Sequence, residues 1–252
     1  MLEVALNTAR VAMKPSGLRE ISRKSMYRLR RVVGAEDQKS EVEAWCAPRA
    51  VSQSEWASAQ DADLWREATE FAREFQARAR QTLAQSKVRF GGGGAYALLY
   101  FLVRQRQPEY VVETGVAAGW SSAAVLAAME RNGKGHLWSS DFPYFRQSGA
   151  SEGIGVVVPA ELRHRWTLYI EGDATNLPRI MAELPRIDLF HFDSDKTYAG
   201  RRRALAMVQP KLSSDAPIIL DDVQDNWHFR DLAGPNPLMF EEGGKYVGAL
   251  RL

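Results

Sequence analysis

The chain is 252 residues long, with 33 Lys and Arg against 31 Asp and Glu, one cysteine and a formal net charge of +2. Apolar residues make up 45% and charged residues 25%, a balance that supports a buried core, and the near-neutral charge gives no general electrostatic case for nucleic acid. Cys46 has no partner for an internal disulfide, no apolar run approaches the ~20 residues of a membrane span, and the N-terminus lacks the apolar core of a secretory signal, so a reducing, cytoplasmic setting is expected.

The first 90 residues read as helices and loops. The stretch from Arg10 to Arg31 is basic and serine-containing, faintly like a transit peptide, but Glu3 and Glu20 favour a solvated helical face. Pro15-Ser16-Gly17 and Gly34 break residues 1–50 into short segments. From Asp61 to Ser86 the apolar residues Leu64, Ala68, Phe71, Phe75, Ala79 and Leu83 recur every three or four positions, the mark of an amphipathic helix that Asp61 or Asp63 can cap. Gly91 to Gly94 then divides this N-terminal helical extension (1–90) from the rest of the chain (91–252).

Beyond the glycines, strands and helices alternate. Ala95 to Gln107 reads as a buried helix stopped by Pro108, and Tyr110 to Glu113 as a strand. Ser121 to Arg131 is helical with Asn132-Gly133 as its stop. Further strands follow at His136–Ser140, Arg165–Ile170, Ile187–Phe192 and Ala216–Leu220, with a helix over Tyr198–Lys211. Leu238–Phe240 and Lys245–Leu252 form a hairpin around Gly243-Gly244. This order predicts an α/β fold: a doubly wound, mostly parallel seven-stranded sheet closed by an antiparallel hairpin.

Acids stand at the strand ends: Glu113, Asp141, Asp193 and the pair Asp221-Asp222, with Asp173 just beyond the third strand. In open α/β sheets the carboxyl ends of the strands line the ligand crevice. Any one of these acids is explained by capping; the whole series is not. After the first strand, Glu113-Thr114-Gly115-Val116-Ala117-Ala118-Gly119-Trp120-Ser121 carries two glycines that let backbone approach a ligand. Ala117 stands where a dinucleotide fingerprint has its second glycine, which argues against a pyrophosphate ligand.

These residues resemble the class I S-adenosylmethionine-dependent methyltransferases over about residues 88–252. The resemblance implies that Glu113, Gly115, Gly119 and Ser121 hold the cofactor with Asp193. It implies that Asp141 takes the ribose hydroxyls and Asp173 faces the adenine. Phe192-Asp193-Ser194-Asp195-Lys196-Thr197-Tyr198 and Ile219-Leu220-Asp221-Asp222-Val223 further resemble the macrolide-sugar, cephalosporin-type and catechol-type O-methyltransferases. That narrower resemblance implies a divalent metal, Mg²⁺, on Asp193, Asp221 and Asp222, a donor set suited to a hard ion. It also implies methyl transfer to a hydroxyl of a small molecule, a sugar or natural-product intermediate.

Lys196 falls where catechol-type relatives have a lysine base and sugar-type relatives a histidine. A lysine acts as base only if burial or a nearby cation lowers its pKa, and an ion pair with Asp193 or Asp195 is the competing role. His228 is a second candidate base. His191 reads as a packed core histidine and Arg201-Arg202-Arg203 as a solvated helical face. An aromatic of Phe142–Phe145 can stack on the adenine, and Tyr96 with the four glycines can gate the cofactor. Acceptor specificity is expected from the N-terminal helices and the loops at 142–158 and 224–240. The N-terminal helices are expected to cover the acceptor site or to make a homodimer contact. No nucleic-acid or membrane partner is expected. The rival readings are a metal-independent N- or carboxyl-methyltransferase, a nicotinamide-dependent oxidoreductase and a non-catalytic binding protein of the same fold.

Overall fold

The computed structural model describes residues 8–9, 11–13, 15–32, 38–86, 88–90, 92–144, 147, 151 and 153–252. Glu3, Arg10, Gly34, Gly91 and Phe145, named above, lie outside them.

Among the described residues, α1 (Pro15–Val32), α2 (Lys39–Cys46) and α3 (Gln53–Ala84) precede the glycine segment. The third is longer than the apolar spacing predicts. Ser52 caps its first part by accepting from the backbone N–H of Glu55, and the backbone breaks from helix at Asp61. There the Asp61 carboxylate accepts from the N–H of Leu64 at 2.9 Å, capping the part that the periodicity marks. The expected face is buried at Ala68, Phe75 and Ala79; Trp65 and Ala57 join it, while Leu64, Phe71 and Leu83 are half-buried.

The alternating region runs α4 (Tyr96–Arg106), β1 (Tyr110–Thr114), α5 (Trp120–Asn132), β2 (His136–Ser140), β3 (Trp166–Tyr169), α6 (Asp173–Glu183), β4 (Leu189–Phe192), α7 (Tyr198–Val208), β5 (Ile218–Leu220), α8 (His228–Ala233), β6 (Leu238–Glu242) and β7 (Lys245–Leu250). The seven-stranded sheet has the order β3-β2-β1-β4-β5-β7-β6. β1 to β5 are parallel, and β7 pairs antiparallel with both β5 and β6. The doubly wound fold and the closing hairpin are as the alternation predicts. The helix over Tyr198–Lys211 ends early, at Val208, and continues as one 3₁₀ turn containing Pro210, a residue with no N–H to donate to an α-helical ladder. α6 was not among the predicted helices, and Pro178 interrupts its pattern.

Successive strand residues face opposite layers. Val111, Leu189 and Ile219 join the core under α3, α4 and α5, whereas Val112, Phe190 and Leu220 join the core under α6 and α7. α3 therefore spends its apolar face inside the main core: Phe71 stacks on Tyr100 of α4 with centroids 4.4 Å apart. β6 fastens the same region, since Glu242 accepts from Gln53 Nε2 at 3.1 Å and from the Ala95 N–H at 2.5 Å. The sheet order reverses between β1 and β4, which opens a crevice at their carboxyl ends. Among the described residues no helix is long and apolar enough to cross a membrane.

Candidate active site

The turn after β1 packs too tightly for side chains. Gly115 and Gly119 have φ of +84° and +97°. A Cβ on Gly115 would stand 2.2 Å from the Asp193 carbonyl oxygen, and one on Gly119 would meet Val158 at 2.7 Å. Gly115 thus lets the turn lie directly against the chain leaving β4, and Gly119 lets it lie against Gly155 and Val158.

Glu113 is completely buried rather than facing the crevice. Its carboxylate accepts hydrogen bonds from Ser121 and Ser122 at the start of α5 and from Ser139 of β2 at 2.9 Å. His191 Nδ1 of β4 stands 3.4 Å away. Burial alone would raise the Glu113 pKa, but the hydrogen bond and charge of His191 and the serine hydroxyls outweigh it, so the carboxyl is held below its usual range. Burial likewise works against the His191 cation, and Glu113 overrides it and raises that pKa. His191 is the buried core histidine expected, with a partner that the sequence does not reveal. Ser121 points to the same carboxylate, so Glu113 and Ser121 act on the crevice through the turn they hold.

Asp141, at the end of β2, accepts from the N–H groups of Val116 (3.2 Å), Ala117 (2.7 Å) and Phe142 (2.6 Å). Its carboxylate lies against the glycine turn, where vicinal hydroxyls would find two acceptor oxygens. Asp173 begins α6 and joins two strand ends, accepting from Ser140 at 2.7 Å and from Ser194. Phe142 is buried, and the ring of Tyr144 lies 5.7 Å from that of Phe90.

Across the crevice, Asp193, Asp221 and Asp222 converge as expected, each offering an oxygen within 4.8 Å of the others. Asp221 Oδ1 is buried with no hydrogen-bond partner. Burial, then the charge of Asp221, pushes the Asp193 carboxyl up to about 7 against the pull of Lys196. An excess of buried carboxylate oxygen suits a hard divalent cation. Lys196 stands among them: Nζ is 2.7 Å from Asp193 Oδ1, 3.7 Å from Asp221 Oδ2 and hydrogen-bonded to Asp222 Oδ2. The expected ion pair with Asp193 is present, whereas Asp195 pairs with Arg203. Lys245 reaches Asp222 Oδ1 at 3.2 Å from β7.

His228 is placed elsewhere. Its ring packs edge-on to Tyr198 with centroids 5.0 Å apart, and burial, with the charge of Arg201, pushes its pKa down to about 4. It is a neutral, packed side chain beside α7 rather than a member of the acid cluster. The arginine triplet also divides: Arg201 is buried, while Arg202 and Arg203 are exposed, so the solvated-face reading fails at Arg201. The periodicity of α7 carried that signal, because Arg201 shares a face with Ala204, Leu205 and Val208.

Gly93 and Gly94 run beside the site. A Cβ on Gly94 would stand 3.3 Å from Asp221 Oδ1, and one on Gly93 would collide with Trp120 Cβ at 2.5 Å. Trp120 is itself wedged against Phe75 and Tyr96.

A family described as a methyltransferase domain matches residues 112–223, which span the glycine turn, every crevice acid and β5. No curated protein matches the sequence. Solved structures share the fold at low identity. An O-methyltransferase from Bacillus cereus in complex with SAH is 15% identical, with a TM-score of 0.54, 69% of this chain and 87% of that one covered. The O-methyltransferase TomG from Streptomyces achromogenes, involved in tomaymycin synthesis and solved with SAM, is 16% identical, with a TM-score of 0.52 and coverage of 79% and 97%. A methyltransferase from Geobacter sulfurreducens is 19% identical, with a TM-score of 0.54 and coverage of 71% and 90%. The matched domain, the sheet order and the glycine turn facing strand-end acids make residues 112–223 similar to a methyltransferase domain.

Proposed function

We propose that the protein transfers the methyl group of S-adenosylmethionine to a hydroxyl of a small molecule, a sugar or natural-product intermediate, with help from a divalent metal such as Mg²⁺. The observation that carries this reading is the convergence of Asp193, Asp221 and Asp222 at the ends of β4 and β5. The cluster adjoins the cofactor turn, because Gly115 packs on the Asp193 carbonyl.

In this reading Gly115, Gly119 and Asp141 seat the cofactor, with Asp173 beside it. Glu113 and Ser121 hold the turn, and the three acids hold the ion. A bound divalent ion lowers the pKa of a coordinated hydroxyl and orients its oxygen. With a divalent cation taking up those acids, Lys196 Nζ beside it would meet the condition for a base and is the group assigned the acceptor proton. His228, packed against Tyr198, is not assigned that role. The lone, buried Cys46, whose thiol burial pushes up to about 11, is in keeping with the cytoplasm.

One observation favours a second reading. Lys196 already sets an ammonium among the three acids, as a metal-independent methyltransferase would need. Methyl transfer to a panel of hydroxylated and amino acceptors, measured before and after complete chelation, separates the two. Loss of transfer to hydroxyls that Mg²⁺ restores is expected. Undiminished transfer without metal refutes the metal-assisted reading.

A further inference from the structure

Arg201 occupies a position on α7 that the helical pattern reserves for an apolar residue. It is 1% exposed. Its Nη2 donates to the carbonyl oxygens of Asp221 at 2.7 Å and Asp222 at 2.8 Å, and its guanidinium lies over the Phe192 ring. The guanidinium thus grips the main chain of the acidic pair rather than its carboxylates. Asp222 has φ +49° and ψ +46°, the left-handed region that a side chain disfavours. Burying a guanidinium carries a large desolvation penalty, so an apolar residue would satisfy this helix face more cheaply. Both bonds leave one nitrogen, Nη2, while Nη1 is buried without a partner, and a planar, permanently charged group lying over the Phe192 ring is what lysine cannot reproduce.

We propose that Arg201 is a positioning residue for the ion site. By holding both peptide carbonyls after β5, it keeps Asp222 in its left-handed conformation and sets the spacing of the Asp221 and Asp222 carboxylates for a divalent cation. The inference rests on the metal-assisted reading above.

The sign of one measurement separates this role from a simple electrostatic one. Removing a cation near a metal site strengthens metal binding if charge is all that matters. Losing the tether weakens it. The test is calorimetric titration of the full chain, as wild type, Arg201→Met and Arg201→Lys, with MgCl₂ and separately with S-adenosylhomocysteine. The expected result is a loss of Mg²⁺ affinity of about 10–100-fold in both variants, the range seen when the partners of metal ligands are removed, with S-adenosylhomocysteine binding unchanged. Unchanged or tighter Mg²⁺ binding in variants that still bind S-adenosylhomocysteine overturns the proposal. If Arg201→Met does not fold, Arg201→Lys decides alone. A wild-type protein that binds S-adenosylhomocysteine but no Mg²⁺ overturns the metal reading itself, an outcome distinct from failure of the Arg201 role.

Discussion

Replacing Lys196 by methionine keeps the length of the side chain and deletes its charge. The Lys196 side chain is about a quarter exposed, while those of Asp221 and Asp222 are less than a tenth exposed. The variant leaves three carboxylates whose oxygens lie within 4.8 Å of one another. At an effective dielectric constant of 20, two charges at that separation repel by about 3.5 kcal/mol, which proton or cation uptake relieves. An exposed ion pair contributes less than about 1 kcal/mol, and breaking a buried one costs about 3–5 kcal/mol. Lys196 lies between these limits, so a loss of about 2 kcal/mol is expected, equivalent to a fall in Tm of about 4–8 °C for a domain of this size. The assay is thermal unfolding of both proteins with chelator and then with MgCl₂. The deficit should appear with chelator and shrink with Mg²⁺, because a divalent ion replaces the missing positive charge. Lys245 still pairs with Asp222 in the variant, so equal melting in chelator, or a deficit that Mg²⁺ leaves untouched, refutes the idea that these acids need the charge of Lys196.

Glu113→Gln places amide donors against serine hydroxyls and His191; thermal unfolding should show a loss of about 3 kcal/mol or more, because a buried ion pair is broken. The Glu113 pKa is depressed, so its contribution is present above its unfolded value of 4.5 and is lost as pH falls. The His191 pKa is raised, so its contribution is present below its unfolded value of 6.5 and is lost as pH rises through the folded one. The gap in Tm between wild type and Glu113→Gln should therefore be widest between pH 4.5 and 6.5. Asp141→Asn should weaken S-adenosylhomocysteine binding in calorimetry by about tenfold, from the loss of charge-assisted hydrogen bonds to hydroxyls, while Mg²⁺ binding persists. Gly93→Ala drives a methyl group into Trp120; an overpacking cost of about 1–3 kcal/mol and a shift in tryptophan fluorescence are expected.

The fold was legible because strand and helix periods alternate after residue 95 and because acids stand at the ends of four of the five parallel strands. Topology then brings Asp193, Asp221 and Asp222 together, since β4 and β5 are parallel neighbours. What one sequence conceals is which buried groups meet across the sheet. The pairing of Glu113 with Ser139 and His191 depends on β1 lying between β2 and β4, and no local pattern announces it. Arg201 was obscured by its two exposed neighbours, because composition reads a triplet where the helix separates its faces. His228 follows β5 closely, but α8 turns it toward Tyr198.

The reversal between β1 and β4 divides the crevice into two territories. β2 and the start of α6 contribute Asp141 and Asp173, while β4 and β5 contribute Asp193, Asp221 and Asp222. Among the ties that cross that seam are the Glu113–His191 pair beneath it and the hydrogen bonds of Ser194 to Thr114 and Asp173 above it. Residues on one bank can therefore change with little disturbance to the other, provided the ties remain. A fold so partitioned can keep one methyl donor while its acceptor side is rebuilt for a different molecule.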